Sequence, residues 1–145
     1  MKKVRITALI LILLLIAASK FFPDFLVMAI FEEPYLPMGT IVAWLAILSI
    51  AALPWLTSAG LRRGGTIYFL ILKYVTYLAT GLALTWPFVG RLLATNWSYS
   101  FSNAVQGFAG SAEAGYLFWR FTGLIVLLPL IVFILIWGQY LVKKL

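Results

Sequence analysis

Lys73, Thr76, Tyr77 and Thr80 stand at i, i+3, i+4 and i+7 inside an apolar run, a spacing that sets an ammonium and three hydroxyls on one helix face. Such a face suits three tasks. It can pair its cation with a carboxylate of another subunit or a lipid phosphate, carry the cation to the headgroups on its own apolar stem, or line a path for an anion or a proton. A charge at the bilayer centre costs about 3 kcal/mol or more, so a lysine in this setting needs one of these outlets. From Thr66, where the run begins, Lys73 is seven residues in, roughly 10 Å at about 1.5 Å per residue. Its stem of about 6 Å leans toward the helix N-terminus and nearly reaches the interface. Ala79 and Ala83, four apart on a neighbouring face, would let another helix approach closely.

Little else in the chain could do chemistry. Cysteine and histidine are both absent, which removes thiol nucleophiles, the usual axial ligand of haem and the commonest general base. No cofactor or metal is expected. Asp24, Glu32, Glu33 and Glu113 are the only carboxylates, and all lie outside the long apolar runs. Glu32 and Glu33 are sequence neighbours, which does not imply a facing catalytic pair. Gly64-Gly65 lacks the spacing and the Lys-Ser/Thr of a phosphate loop. Ser49, inside an apolar run, has no supporting motif. Asn96-Trp97-Ser98 matches the glycosylation pattern, a three-residue match that is common by chance. The chain is therefore read as a non-enzyme.

The elements that must hold these residues belong to a membrane. The 145 residues are 64% hydrophobic and 10% charged, with mean hydropathy +1.06, whereas a soluble domain is about a quarter charged. The expected fold is an all-α, single-domain membrane protein with four spans at about 6–22, 40–58, 66–86 and 121–142. The first run follows Lys2, Lys3 and Arg5 and also fits a signal peptide, but Lys20, Phe21 and Phe22 make a poor cleavage context, so it is read as a retained helix. Phe25–Phe31 is too short to span and reads as an interfacial or re-entrant turn of helix, with Asp24 as N-cap, before an exposed connector through Glu32, Glu33, Pro34 and Pro37. Trp44 and Trp55 are expected at opposite interfaces of the second span, and Pro54 should kink it. Pro87 should close the third. A long extracytoplasmic loop follows, in which Trp97, Tyr99 and Phe101 alternate with serines as an extended aromatic contact edge. The stretch VQGFAGSAEAG, residues 105–115, reads as loop. Pro129 lies in the middle of the fourth span.

Charge sets the orientation. Lys2, Lys3, Arg5, Arg62, Arg63, Lys143 and Lys144 fall on one side of this arrangement; Lys20, Arg91, Arg120 and all four acids fall on the other. The positive-inside rule then places both termini in the cytoplasm, and the expected location is a bacterial inner membrane. The net charge of +7 is split into pairs at the ends of apolar runs, so the expected partners are membrane lipid and other membrane subunits, not nucleic acid. The six tryptophans recur near helix ends and read as interfacial anchors, not as base-stacking platforms. The leading expectation is an accessory or structural subunit of a larger membrane complex. A small transporter or channel component using the Lys73 face is the alternative in another class, and a membrane-resident immunity or stress-response protein is a third.

Overall fold

The computed structural model describes residues 17, 20, 21, 23–59, 61, 66–97 and 108–142. Of these, 82% are helical. A short helix α1 (Pro23–Val27) leads into a hairpin of β1 (Ala29–Phe31) and β2 (Leu36–Pro37), followed by three long helices, α2 (Met38–Thr57), α3 (Ile67–Ala94) and α4 (Ala112–Val142). All of α2 and α3, and α4 through Gln139, are long and apolar enough to cross a bilayer. The chain is a multi-pass membrane protein. The expected first span, 6–22, lies outside the described residues except for Ala17, Lys20 and Phe21.

The three long helices pack pairwise, each on both others. Side-chain meetings fix their directions: Trp44 of α2 reaches Ala83 and Trp55 reaches Tyr77, while Tyr68 and Trp86 of α3 reach Leu135 and Thr122 of α4. Thus α3 runs antiparallel to both neighbours. Lipid tails are as apolar as leucine, so close packing and hydrogen bonds must hold such helices together. Apart from Pro87, the buried positions of α3, Leu72, Thr76, Ala79, Ala83, Trp86, Gly90 and Ala94, advance in steps of three and four and form one inward seam. Most of them are small. Ala79 and Ala83 are fully buried, as their spacing predicts. Trp86, Phe118 and Ile125 fill the centre against Ile47 and Ala51, and a second cluster of Leu61, Leu72, Val132 and Ile136 packs where α2 ends and α3 begins.

Several boundaries differ from the expected ones, each for a local reason. The third helix does not close at Pro87 but continues to Ala94, with Pro87 buried inside it. Proline removes the N–H that would serve the carbonyl of Ala83. That carbonyl instead accepts from Trp44 Nε1 at 2.9 Å, so the helix can continue. It ends at Thr95, whose φ of 62° is the left-handed conformation of a helix C-cap. The fourth helix begins at Ala112, inside the stretch expected as loop, because Ser111 Oγ accepts the Ala114 N–H at 3.1 Å and Glu113 sits in the first turn. Phe25–Phe31 is not one turn of helix. The helix stops at Val27, whose carbonyl accepts from the Tyr35 hydroxyl, and the chain then pairs Ala29 with Pro37 and Phe31 with Leu36 as an antiparallel hairpin. Glu32, Glu33 and Pro34 are exposed at its tip.

Candidate functional site: a lysine between two aromatic rings

Lys73 leaves the first turns of α3 opposite Trp55, near the end of α2. Its Nζ lies 5.9 Å from the centroid of the Trp55 ring and 5.8 Å from that of Tyr77. The two rings pack tilted at 39° with centroids 5.2 Å apart. Helix periodicity explains half of this niche, since Tyr77 is i+4 from Lys73. The antiparallel descent of α2 supplies the other half. Ring faces attract a cation by about 0.5–1 kcal/mol at exposed sites and by about 2 kcal/mol or more when water is excluded. The niche therefore offsets part of the cost of Lys73's half-buried position.

Depth lowers the cost further. Lys73 and Arg91 are 18 residues apart on α3, about 27 Å along the axis, and residues 74–90 between them carry no charge. Hydrocarbon is about 30 Å thick. The two cations therefore fit opposite interfaces of one slab, with Lys73 near a boundary and not at the centre. Arg91 and Arg120 repeat the aromatic pairing at the other end: the Arg91 guanidinium lies 6.0 Å from the Trp97 ring, and that of Arg120 lies 4.2 Å from Tyr116.

The predicted stripe divides between two environments. Thr76 is 1% exposed and its hydroxyl donates to the Leu72 carbonyl at 2.8 Å; Thr80 donates to the Thr76 carbonyl at 2.8 Å. Both hydroxyls are thus engaged on their own helix, not across an interface. Tyr77 is 48% exposed, while Lys73 and Thr80 lie on the border between core and surface. Of the aromatic loop residues, Tyr99 and Phe101 lie outside the described residues. Trp97 is half-buried: its carbonyl accepts from Thr40 Oγ1 at 2.9 Å, and its ring meets Phe88 edge-on at 6.4 Å. It ties the end of α3 to the start of α2.

Sequence reasoning missed the residues that join the helices. Trp44 donates its Nε1 hydrogen to the Ala83 carbonyl, a role its place near a helix end did not announce. Trp86, 2% exposed, donates its Nε1 hydrogen to Thr122 Oγ1 at 2.9 Å, and Thr122 donates on to the Phe118 carbonyl at 2.9 Å. Tyr68 donates to the Leu135 carbonyl at 3.1 Å. The available signal was Pro87, a proline within an apolar run long enough to span, which calls for a donor from another helix. Among the described residues, no group of three or more Asp, Glu, His or Cys gathers to hold a metal. No family model, curated protein or solved structure matches the chain.

Proposed function

We propose that this chain is a non-catalytic accessory or structural subunit of a larger membrane-protein complex. The outward face of α3 supports this most directly. Tyr74, Tyr77 and Gly81 are all exposed there, in one stripe, beside Thr85, whose hydroxyl donates to the Leu82 carbonyl at 2.9 Å. Lipid tails offer nothing to hydroxyls and gain nothing from a glycine, whereas a neighbouring helix packs closely over small residues and bonds hydroxyls. A Cβ on Gly81 would meet no atom within 4 Å, so among the described residues no contact requires glycine at that position. A structural role is also supported by the bundle interior. The buried polar residues among those described, Thr40, Ser58 and Thr76, spend their hydroxyls on the backbone groups of Trp97, Leu61 and Leu72. That leaves little polar lining for a solute path between the described helices.

In this reading the chain resides in a bacterial inner membrane, crosses it four times with residues 6–22 as the first span, and keeps both termini in the cytoplasm. A photo-crosslinking residue placed at Tyr74 or Gly81 in cells, followed by gentle extraction and native mass measurement, tests the proposal. An adduct with a different membrane protein is the expected outcome. A lone monomer crosslinked only to lipid would overturn it.

A further inference from the structure

We infer that Lys73, Trp55 and Tyr77 form a binding site for the phosphate of an anionic phospholipid, where α2 ends and α3 begins. The inference shares Tyr77 with the subunit proposal but does not rest on it. An ammonium carries three N–H donors. Ring faces at 5.8 and 5.9 Å attract its charge without supplying a lone pair, so an anionic oxygen remains its complement.

None of the four side-chain carboxylates lies at this end of the described bundle. Asp24 is in α1, Glu32 and Glu33 are at the hairpin tip, and Glu113 is in the first turn of α4. All four belong to the end of the bundle where α2 starts and α3 stops. From Lys73 to Ala94 at that end is about 31 Å along α3. A second copy inserted in the same direction would carry its acids to the same far end, so self-association does not provide the partner either. What lies beside Lys73 in every orientation of the bundle is the phosphate layer of the nearer leaflet. Lysine stems can carry their charge toward an interface, and Tyr77 and Lys73 are both accessible from outside the bundle.

Charge favours an anionic over a zwitterionic headgroup. The connector from α2 to α3 contains Arg62 and Arg63 in sequence, and Lys143 and Lys144 follow α4, whose C-terminal part meets Tyr68 at this same end. Each basic residue near a membrane surface adds attraction for anionic lipid. Trp55 and Tyr77 then flank the headgroup with amphipathic rings, which suit this depth.

The test is native mass measurement of the full chain released from mixed micelles holding equal amounts of phosphatidylglycerol and phosphatidylcholine. The wild-type chain should retain one phosphatidylglycerol in preference to phosphatidylcholine, and Lys73 should account for about a fivefold share of that preference, the discrimination expected of one basic residue at a membrane surface. Lys73→Met, matched in length and apolar stem, should lower the preference by that factor; Lys73→Arg should keep it. Equal retention by wild type and Lys73→Met would overturn the site, as would wild-type retention without preference, a readout that needs no variant to fold. Two further arms separate the sources of the anion. Inorganic phosphate retained by wild type in lipid-free detergent would replace the lipid by a soluble anion. A protein that co-purifies with wild type but not with Lys73→Met, with lipid retention unchanged, would replace it by a partner's carboxylate.

Discussion

Trp44 and Pro87 make one unit across two helices, and neither is intelligible alone. Pro87 leaves the Ala83 carbonyl without its helical donor, and Trp44 Nε1 supplies one at 2.9 Å. Hydrogen bonds between membrane helices contribute about 0.6 kcal/mol on average and up to about 1.7 kcal/mol. Trp44→Phe should therefore destabilise the bundle by about 1 kcal/mol, while the ring still packs. In a Pro87→Ala background the residue at 87 regains an N–H for the same carbonyl, and the effect of Trp44→Phe should largely disappear. Reversible unfolding of the four chains in bicelles gives this double-mutant cycle. Equal losses in both backgrounds would show that Trp44 acts through packing alone. Thr95 offers a second local test. A β-branched residue at φ 62° pays a steric cost of about 1–2 kcal/mol that glycine avoids. Thr95 is exposed, and among the described residues its hydroxyl bonds the adjacent Ala94 carbonyl. Thr95→Gly should thus raise stability in the same unfolding measurement, by up to about 1 kcal/mol; a loss would point to an unseen role for the side chain.

At the scale of elements, the start of α4 is pressed against the end of α3 at Gly110. A Cβ there would lie 2.1 Å from the Leu93 carbonyl oxygen and 2.6 Å from the Phe108 ring, so backbone would have to move. Gly110→Ala should cost about 1–3 kcal/mol, the range for overpacking, and appear as lower folded yield and a lower melting temperature. Gly123→Ala, with nothing within 4 Å of the new methyl, should be neutral or stabilising by up to about 1 kcal/mol; equal losses in both would remove the close approach as the cause. Such contacts also mark the limit of what a single sequence discloses. Apolar runs announced α2, α3 and α4, and the i+4 spacing announced that Lys73 and Tyr77 share a face. The continuation of α3 past Pro87 was hidden because it depends on an indole from another helix. The start of α4 was obscured by a glycine-rich composition, although Ser111 followed by Glu113 is a local helix-start signal. The hairpin escaped because its two strands are very short and one ends in proline. At the candidate site, Lys73 was legible as a cation in need of a partner. Trp55 as one of its two rings was not, since that contact follows from the register of two antiparallel helices.

The whole molecule is polarised along its axis. All four carboxylates, together with Arg91 and Arg120, belong to the end where α2 and α4 start. Lys73 lies near the other end, where the sequence adds Arg62, Arg63, Lys143 and Lys144. Basic residues in short connectors stay on the cytoplasmic side, and acids contribute little to the choice. The hairpin tip should therefore face away from the cytoplasm and the Lys73 niche toward it, which also assigns the proposed lipid site to the cytoplasmic leaflet. Three crossings from α2 to α4 separate the hairpin from the C-terminus; a cytoplasmic N-terminus requires residues 6–22 to cross as well. The chain contains no cysteine, so single substitutions can be read without background by a membrane-impermeant maleimide applied to right-side-out vesicles. Glu33→Cys should label readily, whereas Val4→Cys and Leu145→Cys should label only after the vesicles are opened. Labelling of Leu145→Cys in closed vesicles with protection of Glu33→Cys would invert the bundle and move the niche to the opposite leaflet. Labelling of both Val4→Cys and Glu33→Cys, with Leu145→Cys protected, would preserve the orientation of the three described helices and reduce the number of crossings to three.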